Sequence, residues 1–186
     1  EGVMARTPDH PQASHLYIHL LELPDPAKAE AAADRLDKTG PAALGHLVHM
    51  PAHIYFRLGR YQDSIEANKR AVAADEAYLA KFGDDGLVRF GYYPHNVHFL
   101  LTSAQAMGDV PTVINQTRKL ESVIDTEIGR DLYWVQAIYA APYFAHAQYS
   151  SPEAITALTA DPDPLQLKLV FSACVWQSEF SRLPFR

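Results

Sequence analysis

The chain has 186 residues, 48% hydrophobic and 20% charged, values typical of a globular protein with one substantial core. Its 22 Asp and Glu outnumber its 16 Lys and Arg, giving a formal charge of −6 without a basic stripe, which argues against nucleic acid as a partner. No run of about 18 apolar residues occurs, so we expect no membrane-spanning helix and no membrane partner.

Cysteine content and the first residues say little about the compartment. Cys174 is the single cysteine, so an internal disulfide is impossible, but a cysteine-poor chain occurs in every compartment. The chain opens EGVMARTPDHP, without an initiator Met or an apolar signal core, and we expect it to be a piece of a longer protein. The localisation stays open, with a soluble cytoplasmic protein as the default.

The first predicted element is a helical hairpin over 11–40, with a turn at Pro24. The second covers 41–80, where Gly59 is placed to end the first helix in a left-handed cap and Tyr61 to open the next helix. This spacing is typical of a tetratricopeptide repeat (TPR) helix pair. From turn to turn, Pro24 and Gly59 are 35 residues apart, close to the TPR period of about 34 residues.

The rest of the chain carries weaker copies of this pattern. An insertion over 81–93, rich in Gly and Asp, is expected to be an ordered loop or a short extra element. Two further repeats follow over 94–125 and 131–160, and then a C-terminal helix over 164–180. That helix is apolar on more than one side, so we expect a missing continuation or a second copy of the chain to cover it. The sequence predicts an all-α fold, a TPR-like α-solenoid of about four helical hairpins plus this helix, as one domain over 1–186.

Histidine pairs recur in three consecutive segments at the spacing of a helical turn, which places each pair on one helix face. They are His15 and His19, His49 and His53, and His95 and His98. Counted along the TPR template, most of these positions face the concave groove. The template therefore predicts that imidazoles from several helices converge there.

Imidazole pairs at this spacing are typical of metal-binding helices, because neutral imidazole is the commonest ligand for borderline metals. The six paired histidines are the candidate ligands, for one ion or for more. Glu22 is the carboxylate best placed to orient a ligand ring. Without a thiolate in the groove, zinc, copper, iron or nickel is expected. The candidates that support the ligands or line the groove are His46, Tyr92, Tyr93 and His146.

Pro51 lies between the two histidines of the middle pair and leaves two interpretations open. Inside a helix it would free the carbonyl of Leu47 and kink the helix. Alternatively, Pro51 is the first residue of a new helix, with His49 in the preceding turn. Either way, the geometry of this pair is less strictly predicted than that of His15 and His19.

Several segments together resemble a group of bacterial TPR-repeat proteins. They are HPQASHLYIHLLE, GHLVHMPAHIYFRLGRYQDSIEAN, AVAADEAY and YYPHNVHFL, and the resemblance covers about residues 8–108. It implies an α-solenoid fold but no established reaction, so no catalytic role is carried over from it. The remainder of the chain resembles only generic helical repeats.

Three hypotheses about function follow from these patterns. The first is a metal-binding protein, with or without catalysis, that uses the histidine-lined groove. The second is a scaffold whose groove binds a protein or peptide without metal. The third is a pH sensor, because protonating all nine histidines would move the formal charge from −6 to +3. Whether the chain is an enzyme stays open, since it contains no nucleophile motif and no HExxH.

Overall fold

The computed structural model describes residues 2–83 and 86–155, and within them the fold is all-α, as predicted. A π-helical segment, Val88–Tyr92, precedes α7, and a 3-10 turn, Tyr133–Val135, precedes α10. The helix predicted over 164–180 lies outside the described residues. The α-helices are α1 (Gly2–Arg6), α2 (Pro11–Leu21), α3 (Pro26–Thr39), α4 (Gly45–His49), α5 (Pro51–Arg57), α6 (Tyr61–Phe82), α7 (Tyr93–Met107), α8 (Val110–Val123), α9 (Thr126–Asp131) and α10 (Gln136–Tyr149).

The chain divides into two compact units, Glu1–Gly108 and Asp109–Arg186. The division falls at the turn within the third predicted repeat, so the prediction of a single domain over 1–186 stays a prediction. Among the helices that the structure describes, none is long and apolar enough to cross a bilayer.

Proline and glycine set several of the helix ends. Proline is the first residue of α2, α3 and α5, where its missing N–H costs no helical hydrogen bond. Gly59 and Gly108 follow α5 and α7 with φ of 75° and 77°, a left-handed conformation that favours glycine. The glycine cap predicted at Gly59 is confirmed. Pro51 is the first residue of α5, but His49 lies in helix α4 and not in a turn.

The core of the first unit is built where α2, α3 and α5 pack together. Buried alanines of α3 let the neighbouring helices approach closely, and large apolar side chains from the other two helices fill the space between them. These residues are Ile18, Ala29, Ala33, Leu36, Met50, Ile54 and Tyr55.

The long helix α6 packs against α4, α5 and α7. The hydroxyls of Ser64 and Ser103 lie 2.8 Å apart between α6 and α7, and both side chains are buried. Gly45 allows a second close approach, since a Cβ atom there would overlap the carboxylate of Asp75 on α6. Through these contacts α4 and α7 both pack on α6. Histidines of α4 and α7 are thereby brought near each other.

The insertion before α7 is ordered where the structure describes it. The π-helical segment Val88–Tyr92 leads directly into α7, which confirms the expected short extra element. Such π-helical turns are rare and occur frequently at functional sites. In the second unit, α8 and α10 pack together around Val113, Leu120 and Tyr139.

Candidate metal centre

Two stripes of metal-ligand side chains run along neighbouring helices. On α2 the stripe is His15, His19 and Glu22. Across α4 and α5 it is His46, His49 and His53. Met50 joins α4 to α5 with helical dihedrals, φ −51° and ψ −40°, so this second stripe stays on one side despite Pro51.

Three imidazoles from three helices converge at the centre of the cluster, and we call them the inner triad: His49, His53 and His95. Nε2 of His49 lies 2.8 Å from Nε2 of His53 and 3.0 Å from Nε2 of His95. In a tetrahedral zinc site with Zn–N bonds of about 2.0–2.1 Å, two ligand nitrogens lie about 3.3 Å apart. The two distances from His49 are therefore within about half an ångström of metal-ligand spacing, and all three ligand atoms lie within 4.8 Å of one another.

The protonation of His49 follows from its partner on α6. Asn68 Nδ2 donates to the carbonyl of Ser64 at 2.8 Å, so its Oδ1 faces His49 Nδ1 at 2.7 Å. That amide oxygen can only accept, and His49 Nδ1 must therefore carry the hydrogen. In the neutral ring the lone pair is then on Nε2, directed at the other two histidines.

Glu22 fixes the position of the hydrogen on His53, as Asn68 does on His49. Its Oε2 lies 2.6 Å from His53 Nδ1, which donates to the carboxylate and leaves a lone pair on Nε2 of the neutral ring. Nε2 of His49 and Nε2 of His53 are then two acceptors facing each other at 2.8 Å. Two lone pairs at this distance repel unless a cation, either a proton or a metal ion, lies between them.

One histidine of the inner triad is fully buried and the other two are half-buried beside an aromatic ring. His49 is fully buried, and the ring of Phe99 lies 4.9 Å from the His49 ring and 4.8 Å from the His53 ring, between centroids. Burial, reinforced by the neighbouring imidazoles, lowers the pKa of His49 well below its usual value and that of His95 to about 3. Both rings are therefore neutral near pH 7, the form that binds metal.

A second group, the outer triad, consists of His15, His19 and His46. The ring of His15 lies 4.9 Å from that of His19 and 5.1 Å from that of His46, between centroids. Nδ1 of His15 faces Gln12 Oε1 at 3.2 Å, and Nδ1 of His19 faces Glu22 Oε1 at 2.9 Å. Burial, with the neighbouring histidines adding to it, lowers the pKa of His46 to about 4.

Glu22 connects the two triads, because one carboxylate oxygen contacts His19 and the other contacts His53. Burial alone would raise the pKa of Glu22, but its hydrogen bonds to both histidines, together with the positive charge that these rings carry when protonated, outweigh burial and lower the pKa to about 2. Glu22 is thus ionised near pH 7 and contacts one histidine of each triad, and its role in orienting ligands stays a prediction. Glu22, His19 and His53 also form a third group with metal-ligand spacing.

A cavity of about 480 Å³ adjoins the outer triad, with His15 and His46 in its wall. The ring of Tyr92 stacks on that of His46 at 4.4 Å, which places this predicted groove residue in the same wall. Asp75 lies in the same wall and accepts a 2.7 Å hydrogen bond from Asn96. The remaining wall is formed by Gln12, Ala43, Leu44, Gly45, Leu47, Tyr78 and Val88.

Besides Glu22 and Tyr92, three predicted site residues lie outside both triads. His98 is one turn beyond His95, and burial lowers its pKa to about 4. The hydroxyl of Tyr93 donates to Glu76 at 2.8 Å. His146 belongs to the second unit, where its ring contacts Glu121 at 3.0 Å and Ser150 at 2.7 Å. In turn, His46, predicted as a supporting group, lies among the possible ligands.

Asn68, Phe99 and Asp75 were missed at the level of sequence. Asn68 and Asp75 look like ordinary polar positions of a long helix, and only the packing of α4 against α6 brings them to the site. Phe99, in contrast, could have been found from the sequence. It follows His95 by four residues and therefore lies on the same helix face.

No known protein family matches the chain, no curated protein is significantly similar to it, and no solved structure matches it. The interpretation of the site therefore depends on its own chemistry.

Proposed function

We propose that the protein binds a divalent transition-metal ion, zinc, copper, iron or nickel, at the inner triad. One observation carries the proposal: Nε2 of His53 and Nε2 of His95 both lie within 3.0 Å of Nε2 of His49, while Asn68 and Glu22 hold the outer nitrogens of His49 and His53. Such outer hydrogen bonds orient the imidazoles of metal sites and fix their tautomers. A histidine that served only in packing would have no need of this arrangement.

The ligand set fits the proposed ions. Three neutral imidazoles suit zinc, copper, iron and nickel, and the described groups at the site offer no thiolate. One cation among the three Nε2 atoms would replace the repulsion between two lone pairs by attraction to both. Three protein nitrogens also leave a fourth position for water or another ligand, as in catalytic zinc sites.

For the fold that carries this site, we propose TPR-like hairpins and kinship with the bacterial TPR-repeat proteins that the motifs resemble. The support is that helices adjacent in sequence pack on one another: α2 on α3, α5 on α6 and α6 on α7. The glycine cap at Gly59, between α5 and α6, is a further point of agreement with the repeat pattern.

The test is elemental analysis by plasma mass spectrometry on tag-free protein purified without chelator. His95→Ala is compared with His98→Ala, a matched control on the same helix outside the triad. We expect one or more ions per chain in the parent and in His98→Ala, and loss of an ion in His95→Ala.

Metal-free protein that also gains no thermal stability from added zinc or copper would contradict the proposal. A histidine-lined groove for a protein or peptide would then be the remaining interpretation. His53→Ala provides a second variant if His95→Ala does not fold, because His53 lies at the edge of the core, with 11% of its side chain exposed.

A further inference from the structure

The two triads differ in their access to solvent and to open space. His49 in the inner triad is fully buried beneath Phe99, whereas 40% of the His19 side chain in the outer triad is exposed. The cavity of about 480 Å³ has His15 and His46 in its wall and none of the inner triad. An ion in the outer triad would therefore be in reach of a small molecule.

We propose that the outer triad binds a second transition-metal ion with a coordination position open to this cavity, where a small organic molecule binds through a nitrogen or oxygen donor. The molecule carries a positive charge or a hydrogen-bond donor at its other end, directed at Asp75. This proposal rests on the metal binding proposed above and adds a second ion and a ligand class to it.

The nitrogens of the outer triad support the second ion. With Nδ1 of His15 and His19 held by Gln12 and Glu22, the Nε2 atoms of both rings are the lone-pair donors available to an ion. Nδ1 of His46 is buried and has no hydrogen-bond partner within the described part of the chain. A buried polar atom without a partner is costly, and an ion bound at His46 would remove that cost.

The cavity wall defines the chemistry of the molecule. Tyr92 stacks on His46 and, with Tyr78, provides aromatic surface, while Leu44, Leu47 and Val88 are apolar. Among the described residues of the wall, Asp75 is the single Asp, Glu, Lys or Arg. Its Oδ2 accepts from Asn96, and a carboxylate has capacity for further donors. A carboxylate beside aromatic rings favours a cationic group such as a protonated amine.

Glu22 couples the two proposed metal sites. Because its two oxygens contact His19 and His53, an ion in one triad fixes the carboxylate that orients a ligand of the other. An inner ion would be held by the fully buried His49, whereas an outer ion would adjoin the cavity and the exposed His19. We therefore expect chelator to remove the outer ion first.

The experiment loads the metal-free chain with Co²⁺, whose visible absorption reports ligand changes, and counts ions by equilibrium dialysis. We expect two ions per chain in the parent and one in His46→Ala, with the inner site retained. His15→Ala, a half-buried position, is the second variant should His46→Ala fail to fold. His98→Ala is the control and should retain both ions.

The open position is probed by adding imidazole, histamine and imidazole-4-acetate to the cobalt protein. We expect each to shift the absorption of the outer ion, with histamine binding at least 5-fold more tightly than imidazole and imidazole-4-acetate more weakly. Asp75→Asn should abolish the preference for histamine. Leu44→Trp, which fills the cavity from an exposed position, should weaken all three ligands.

The outcomes separate this proposal from the preceding one. Binding of no cobalt overturns both. One ion that His46→Ala and His15→Ala leave in place overturns the second site while the inner site stands. Two ions whose absorption none of the three ligands changes overturn the open position, and equal binding of histamine by the parent and Asp75→Asn overturns the role of Asp75.

Discussion

Two polar clusters of the first unit differ in how their donors and acceptors are matched. Arg60 donates to Glu30 at 2.9 Å, to Asp34 at 3.0 Å and to Asp63 at 2.7 Å, with its guanidinium 4.2 Å from the ring centre of Tyr55. The hydroxyl of Tyr55 also donates to Asp34 at 3.0 Å. Around Arg60, donors face acceptors and nothing further is required.

At the inner triad, by contrast, acceptors face acceptors. Nε2 of His49 and Nε2 of His53 are directed at each other, because Asn68 and Glu22 take up the hydrogens on the opposite sides of the two rings. The Arg60 cluster is complete in itself, whereas the inner triad needs a proton or a metal ion between two of its nitrogens, and the proposed site depends on which of the two it is. Experiments that alter one cluster at a time test this distinction.

The largest expected effect is on stability when metal binds. With free zinc or copper at about 1,000 times its dissociation constant, the free energy of unfolding should rise by about 4 kcal/mol. His49→Ala removes the shared nitrogen of the inner triad and should abolish most of this gain. Chemical unfolding with and without metal measures both. An undiminished gain in His49→Ala would place the ion elsewhere.

A smaller effect is expected from Glu22→Gln. The amide keeps the size of the side chain but loses the charge that holds His19 and His53, and metal affinity should fall about 10- to 100-fold. Isothermal titration calorimetry with a competing chelator measures the affinity. Glu30→Gln, in the Arg60 cluster, is the matched control and should leave it unchanged. Equal affinities in the two variants would show that Glu22 does not orient the ligands.

Asp75→Asn should reveal a pH dependence. Burial, with Glu76 adding to it and the hydrogen bond from Asn96 opposing it, raises the pKa of Asp75 to about 6. As pH rises, Asp75 therefore ionises at a lower pH in the unfolded chain than in the folded protein. Its ionisation lowers the free energy of unfolding between about pH 4 and pH 6. Allowing for solvent screening, the loss is about 1–2 kcal/mol.

The measurement is urea unfolding of both proteins across this pH range. The variant should gain stability over the parent from pH 4 to pH 6 and keep that advantage above it. Asp25→Asn is the control of opposite sign, because the hydrogen bond from Lys28, against a smaller effect of burial, lowers the pKa of Asp25. A difference between Asp75→Asn and the parent that does not vary with pH would contradict the raised pKa.

The smallest effect is expected in the Arg60 cluster. Tyr55→Phe removes one hydrogen bond to Asp34, which keeps its bond from Arg60, so the cost should be about 1 kcal/mol or less. Metal content should not change. Thermal unfolding and elemental analysis of the same sample check both, and a variant that lost metal would show that the two clusters are coupled.

Much of the helical framework could be predicted from the sequence, because proline, glycine and apolar spacing act locally. The site was predicted only in part. His15 and His19 share a face at i,i+4, about 40° apart on the helix, whereas His95 and His98 at i,i+3 differ by about 60° in the opposite sense. Packing of α7 directs His95 into the cluster and leaves His98 outside both triads. Whether His95 or His98 enters the cluster depends on which helices α7 contacts. The spacing of the two histidines in the sequence does not carry that information.

The histidines of each triad come from distant parts of the sequence. His49 and His95 are 46 residues apart in sequence, and His15 and His46 of the outer triad are 31 apart. An ion held by either pair closes a loop of that length and removes conformational freedom from the unfolded chain, as a disulfide does, with about 4 kcal/mol expected for such loops. With a single cysteine, this chain has no internal disulfide, and an ion bound at the proposed sites would cross-link it reversibly.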